Sequence, residues 1–447
     1  MSERGSFRLW VIGIALVIVA VAIGAGWRLL RGDGSLLREV TFADPFITPN
    51  ADGTTDATVI GYQLARNARV SIYFEDAQGQ SFYFRRDEPR GADDYEVNFS
   101  GVVEGYLLPD EAYEGEVVER LLQDGTYTWR VEATDLSGYS ETMSGELEVR
   151  DADTDLPEIR NFTLDRERFT PNQDGIGDEL TIDFFLPKEA DVQVFLALDD
   201  GSQLPISERP TERPPGEAGR HVFNYNGGID QGAGPPPDGS YPIVAMSEDL
   251  EGQKMRVESE VTIDLGGVPY AHILSPVTGD TVDYNAAAVQ VCDTLTFSLT
   301  VENYGDTPIR TSGPPPGTVY DSDWNFNTVG YPTESGVWRV GIGFENALSD
   351  YPYRWGLGHR EDLTEIDGQY YLMPGERTVI TGGIRVVDRF GVRNPQPMWA
   401  GLIHEDVGIS LFNNRVDPKQ IQVDLPDAAN MPECEERAIP QAQNAAN

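Results

Sequence analysis

Asn50, Asp52 and Asp56 lie within the run Pro49-Asn50-Ala51-Asp52-Gly53-Thr54-Thr55-Asp56, and Asn172, Asp174 and Asp178 repeat the arrangement in Pro171-Asn172-Gln173-Asp174-Gly175-Ile176-Gly177-Asp178. Hard oxygen donors grouped around a glycine that lets the chain turn sharply are the materials of a calcium loop. With Gly53 in the glycine position of an EF-hand loop, however, the place of the bidentate glutamate falls on Val59, and in the second copy on Thr181. The same residues also suit a tight turn, in which Asn and Asp side chains accept backbone N–H bonds and glycine supplies positive φ. Calcium and turn are therefore the two readings of these loops.

Other chemistry-bearing residues are scattered. His221, His272, His359 and His404 have no metal spacing, and H-E-x-x-H, G-x-S-x-G and P-loop motifs are absent. Carboxylate pairs such as Asp93-Asp94 carry no specificity for glycosidase chemistry in so acidic a chain. His404-Glu405-Asp406 is the one local concentration of titratable types, and a solvated loop accounts for it. No catalytic residue is assigned, and the expectation is a protein that is not an enzyme.

Binding has more material. A long stretch of the C-terminal third holds Tyr320, Trp324, Phe326, Tyr331, Tyr351, Tyr353 and Trp355 beside Asp321, Asp323 and Asn325. Sugars stack on aromatic faces and donate hydroxyls to carboxylates, so Trp324 and Trp355 are candidate glycan contacts; burial in a sandwich core is the alternative. A segment at 110–123 carries Tyr113, Val117, Val118, Leu121 and Leu122 at helical spacing, which predicts a helix packed on its own domain or docked on a partner, with Gly115 weakening the pattern. Cys292 and Cys434 are the only cysteines. Outside the cytoplasm they could form one bridge, contributing about 4 to 5 kcal/mol in the chain-entropy model; otherwise they are two separate thiols.

These residues sit in a duplicated frame. Each Asn-x-Asp-Gly loop is followed by alternating strand-like runs, at 59–64, 70–74 and 127–133 in one copy and 180–186, 192–196 and 241–245 in the other. Each copy closes on Asp124-Gly125-Thr126-Tyr127 to Asp135-Leu136-Ser137-Gly138, or Asp238-Gly239-Ser240-Tyr241 to Asp249-Leu250-Glu251-Gly252. A repeat of about 120 residues has the size of one sandwich domain. One copy alone carries the 110–123 insertion; the other has the stiff loop Gly232-Ala233-Gly234-Pro235-Pro236-Pro237. Further strands at 294–301, 337–342, 377–386 and 399–403 build a third, unduplicated unit.

The order T-P-N-x-D-G-x-x-D, strand, aromatic-x-Gly turn and D-G-x-Y resembles the immunoglobulin-like domain of the flagellar hook-cap protein and related modules of bacterial surface proteins. The match runs from Glu39 to about Leu265, with Phe99-Ser100-Gly101 and Tyr225-Asn226-Gly227 where that family has Trp-Asp-Gly. In the third unit, Val301-Glu302-Asn303-Tyr304-Gly305 and Met373-Pro374-Gly375-Glu376 are similar to adhesion-type sandwich modules. The resemblance implies an immunoglobulin-like fold and a surface location.

Residues 9–27 read LWVIGIALVIVAVAIGAGW without a charge. At about 1.5 Å per residue this run spans about 28 Å, enough for a transmembrane anchor, with a cleaved signal peptide as the alternative. The charge of −41, from 74 acidic and 33 basic residues, sets nucleic acid aside as a partner. The predicted fold class is all-β: a short cytoplasmic segment (1–8), a transmembrane helix (9–27), a linker (28–38), immunoglobulin-like sandwiches at 39–151 and 152–265, a third sandwich at 266–426, and a disordered tail (427–447). The expected protein is a single-pass, extracytoplasmic structural or adhesion protein that binds another envelope component. Glycan recognition through the third domain, or service as an accessory subunit of a membrane complex or surface filament, are the alternatives.

Overall fold

A computed structural model describes residues 34–210, 214–229, 232–387, 393–424, 426 and 432–439. The expected anchor at 9–27 and the segment before it lie outside them. The described chain is all-β, with short 3-10 turns such as Arg360–Asp362, and among the described residues no helix is long and apolar enough to cross a membrane.

The first sandwich faces the Leu37–Phe42, Thr58–Leu64 and Asp94–Phe99 sheet against one ordered Phe46–Ile47, Ser140–Val149, Gly125–Asp135, Ala68–Glu75 and Ser81–Arg90. Alternation places Ile60, Tyr62 and Leu64 in the core and turns Val59 outward. Phe74 and Phe99 stack across the two sheets at 4.3 Å. The second sandwich repeats the plan, down to a short parallel pairing: Phe46–Ile47 runs beside Glu148 and Val149, and Arg168–Phe169 beside Thr262 and Ile263. The strands read from the sequence are present, that at 180–186 with the same bounds and the others of the two repeats with wider ones, and each repeat encloses its own apolar cluster.

The insertion departs from the reading as a helix. Val102–Glu104 and Glu116–Leu121 form an antiparallel ribbon, and Glu116–Leu121 pairs with Lys254–Ile263, a strand of the second sandwich. Neither a helix on its own domain nor a docking helix is formed. Val117 and Leu121 fit a period of two locally as well as a helical one, and the β-branched Val117-Val118 pair favours the strand. Gly115, at φ +92°, lets the ribbon approach: a Cβ there would stand 2.3 Å from the Arg256 carbonyl oxygen. The boundary expected at 151/152 therefore cuts through a continuous sheet.

The third sandwich packs Ala271–Ile273, Thr294–Asn303, Arg377–Arg385 and Val319–Asp321 against Ala288–Gln290, Val416–Asp424, Gln396–His404, Trp338–Phe344 and Tyr353–Gly356. A small sheet of Ile309–Arg310, Gln369–Leu372 and Thr364–Ile366 closes one end. Cys292 and Cys434 are joined in a disulfide with Cα atoms 5.3 Å apart. The tail expected to be disordered is held in part: Arg385 donates to the Glu435 carbonyl at 2.9 Å, and Arg437 pairs with Asp321 at 3.3 Å. Because the bridge closes a sequence separation of 142 residues, its reduction is expected to destabilise the third sandwich by about 2–4 kcal/mol. Denaturation with and without reductant checks this; unchanged unfolding midpoints would contradict it.

Candidate functional site

Part of the material singled out from the sequence, Tyr113, Val117 and Leu121, the loop 172–178 and His404, lies where domains meet. At the first junction, Lys254 and Arg256 face Glu119 and Glu116 across the paired strands, and the Lys254 ammonium lies 2.9 Å from Glu119. Val117, Leu156 and Met255 form a small apolar cluster with Tyr113 against it. Leu121 is buried at the base of the ribbon, and its N–H donates to the Gln253 side chain at 3.3 Å. Gln253 in turn donates to the Asp153 and Asp155 carbonyls in the connecting segment, at 3.0 Å each. Lys188 completes the junction, 3.0 Å from the carboxylates of Asp153, Asp249 and Glu251 and 3.1 Å from the Asp155 carbonyl. Burial alone would depress this ammonium, but the three carboxylates more than offset it and hold its pKa above the ordinary lysine value. Arg120, itself buried, anchors the ribbon through two bonds to Glu111 at 2.5 and 2.8 Å, and the Glu111 carboxyl is held at about 2, chiefly by that arginine.

The second junction is built on the repeated loop. In both copies the carboxylates accept backbone N–H groups: Thr54 donates to Asp52 at 2.7 Å and Gly53 to Asp56 at 2.7 Å, while Ile176 donates to Asp174 at 2.8 Å and Gly175 to Asp178 at 2.6 Å. Asn50 and Asn172 each accept from the aspartate two residues on, at 3.1 Å. With N–H groups aimed at these oxygens, both loops have the hydrogen bonding of Asx-type turns. Among the described residues, no group of three or more His, Cys, Asp or Glu side chains is arranged to hold a metal.

What differs between the copies is the surroundings. Asp52 is exposed, whereas Asn172 and Asp174 are buried under the third domain. The Tyr371 hydroxyl donates to the second Asp174 oxygen at 2.8 Å, and Arg310 donates to the Asp174 carbonyl at 2.7 Å and to the Ser335 carbonyl at 2.7 Å. His404 donates through Nε2 to the Gln173 carbonyl at 2.7 Å and stacks on Trp338. Gly175 and Gly336 meet so closely that a Cβ on Gly336 would lie 2.0 Å from the Asp174 carbonyl carbon. Burial, and then the neighbouring Asp174 charge, raise the Asp178 pKa; burial also pushes the Tyr371 hydroxyl up and brings His404 down to about 4.

Behind this contact lies a buried ionic network. Glu405 accepts from Arg339 at 3.0 Å and Arg354 at 2.8 Å through one oxygen, and from the Glu334 N–H at 2.7 Å through the other. Its backbone brackets the Gly336-Val337 turn that touches the loop. The expectation of a solvated His404-Glu405-Asp406 loop thus fails for its first two residues, both of which are buried.

Asp174→Ala, which strands the Tyr371 hydroxyl, is expected to cost about 1–3 kcal/mol, against about 1 kcal/mol or less for the exposed Asp52→Ala, and millimolar calcium is expected to shift neither melting curve. Comparable losses in the two variants, or a calcium-dependent rise, would contradict this. Because His404 titrates at about 4 in the folded chain and near 6.5 when unfolded, the unfolded state binds the proton first, and folding loses up to about 3 kcal/mol as pH falls from 6.5 to 4. Asp178, raised on folding, contributes in the opposite sense, its stabilisation present at low pH and lost as pH rises. A His404→Gln variant, melted at pH 7 and pH 4.5, is expected to lose most of the acid sensitivity of the parent.

The aromatic stretch does not form a platform. Trp355 is fully enclosed, donates to the Thr318 carbonyl at 2.9 Å and meets Phe297 and Tyr320 edge-on. Gly382 makes room for it, since a Cβ there would lie 2.5 Å from the indole. Trp324 is half-buried against the same core with the Arg437 guanidinium over its ring. Trp355 therefore offers no exposed face to a sugar and is corrected to core packing, while Trp324 keeps part of its surface open.

No protein-family model matches the chain, and no curated protein matches it. Among solved structures, similarity is found to a tetra-tandem repeat in the extending region of a large adhesion protein, at 13% identity over 79% of each chain with a TM-score of 0.17. A calcium-stabilised adhesin with which an Antarctic bacterium binds ice matches at 12% identity over 80% of this chain and 74% of the other, with a TM-score of 0.21. A Bacteroides ovatus protein of a mixed-linkage glucan utilisation locus, solved with a heptasaccharide, matches at 11% identity over 87% and 71%, with a TM-score of 0.15. At these TM-scores the chains do not superpose as wholes.

Proposed function

We propose that this protein is a non-enzymatic, extracytoplasmic structural protein whose three sandwiches form a stiff spacer, anchored through residues 9–27, that presents its third domain to another component of the cell envelope. The observation that carries this is the pair of fixed junctions. Strand Lys254–Ile263 pairs with the first domain's ribbon at residues 254–256, and its other end, at 262 and 263, lies beside the strand that leads into the docked loop. The two junctions are thus separated along one strand by roughly 25 Å, at about 3.3 Å per residue, which sets the domains in series. A flexible string needs none of these buried contacts; a spacer that transmits position needs all of them. The Cys292–Cys434 bridge supports an oxidising compartment, and the acidic surface supports solubility there.

The location is tested by expressing the full chain in a bacterium and treating spheroplasts with protease. Membrane retention that depends on residues 9–27, with the ectodomain oxidised and digested from outside, is the expected result. A reduced, protease-protected chain in the cytosol would overturn the reading.

A further inference from the structure

The duplication supplies an internal control for one surface. Asp124-Gly125 and Asp238-Gly239 open matching strands, so Ser140, Glu141, Thr142 and Met143 correspond to Lys254, Met255, Arg256 and Val257. In the second domain this edge receives the ribbon of the first. In the first domain, the described strand partners of Ser140–Val149 are Gly125–Asp135 on one side and, at Glu148 and Val149 alone, Phe46–Ile47 on the other. The matching side chains are more open in the first domain: Met143 is 37% exposed against 4% for Val257, which packs in the second sandwich's core beside Gly115 of the ribbon, and Tyr139 is 49% exposed against 0% for Gln253, which bonds the ribbon and the connecting segment.

We propose that the outer edge of this strand at residues 140–146 is a docking site for a basic β-strand of another protein. Charge decides the occupant. Within the chain, the cations Lys254 and Arg256 face Glu119 and Glu116 of the ribbon. On the first domain Ser140 and Thr142 replace those cations, Glu132 stands across the pairing from Thr142 where the second domain has Met246 across from Arg256, and Glu146 continues along the strand, while Glu148 is paired with Arg150. Glu141 is occupied by the Leu36 and Leu37 N–H groups at 2.5 and 3.1 Å and by the Ser35 hydroxyl at 2.9 Å. A second copy's ribbon, with Glu114, Glu116 and Glu119, meets like charge here, and an anionic lipid surface does too. A strand with lysine or arginine at the positions of Glu116 and Glu119 meets Glu132 and its neighbours while completing the open ladder.

This inference rests on the reading that the chain binds an envelope component, and names the chemistry of that partner. The probes are two synthetic peptides of residues 100–123, one native and one carrying Glu116→Lys and Glu119→Lys, titrated against the full-length chain while hydrogen exchange is followed by mass spectrometry. The lysine peptide is expected to slow exchange of the 140–146 amides by about tenfold or more at saturation, with the native peptide inert. In a Glu132→Lys chain the preference is expected to reverse. Equal effects of both peptides, protection elsewhere, or 140–146 amides already slow in the chain alone would overturn the proposal. These outcomes leave the junctions untouched, so failure here is separable from failure of the spacer reading.

Discussion

Glu405→Ala is expected to cost the third domain about 3–5 kcal/mol, the loss typical of removing one partner from a buried ionic cluster. The Glu405 carboxylate is enclosed, Arg339 is enclosed beside it, and Arg354 reaches the same oxygen from the neighbouring strand. Burial already lowers the Arg339 pKa even with the carboxylate in place, which shows how poorly the site tolerates a lone cation. Removing Glu405 leaves two arginines facing each other with only the Glu334 carboxylate, 4.0 Å from Arg339, as counter-charge, and frees the Glu334 N–H, loosening the turn that carries Gly336 against Asp174. Glu405→Gln, which keeps an acceptor without the charge, is expected to fall between. Calorimetry separates the outcomes: a lowered transition for the third domain supports the argument, and a loss under about 1 kcal/mol would contradict it.

Lys188→Met is the second large effect, expected at about 3–4 kcal/mol on the first junction. The lysine is the one ammonium among three carboxylates, and the Asp249 and Glu251 side chains are almost wholly enclosed. Methionine keeps the stem's packing but leaves the enclosed Asp249 and Glu251 repelling each other out of contact with water, with the more exposed Asp153 beside them. Since the cost arises from those charges, adding Asp249→Asn to Lys188→Met is expected to recover part of it, a coupling that a double-mutant cycle measures directly. Strictly additive losses would assign the effect to packing instead.

The strands and the duplication were legible because both rest on local signals: alternation as in Thr58–Leu64, and Asp-Gly turns at matching places in the two copies. The junctions were not, since their partners lie far apart in the chain. Nothing near Asp174 announces Tyr371, and nothing near Gln173 announces His404. The two Asn-x-Asp-Gly loops carry the same donors and acceptors, yet one faces solvent and the other a neighbouring domain. The aromatic stretch was ambiguous for a related reason: composition does not distinguish a Trp355 enclosed between sheets from one exposed on a loop. Residues 113–122 misled because their apolar positions satisfy a helical stripe, while an edge on another domain, invisible to any local window, drew them into a strand.

The most direct test of a spacer with fixed junctions is the distance distribution between spin labels at Leu250→Cys in the second domain and Leu411→Cys in the third, both strongly exposed positions. It would be recorded by electron–electron double resonance on the full-length chain, with and without Gly336→Val. The account predicts one narrow distribution that broadens when valine is forced against the Asp174 backbone. A broad distribution in the parent chain, or one that Gly336→Val leaves unchanged, would contradict it.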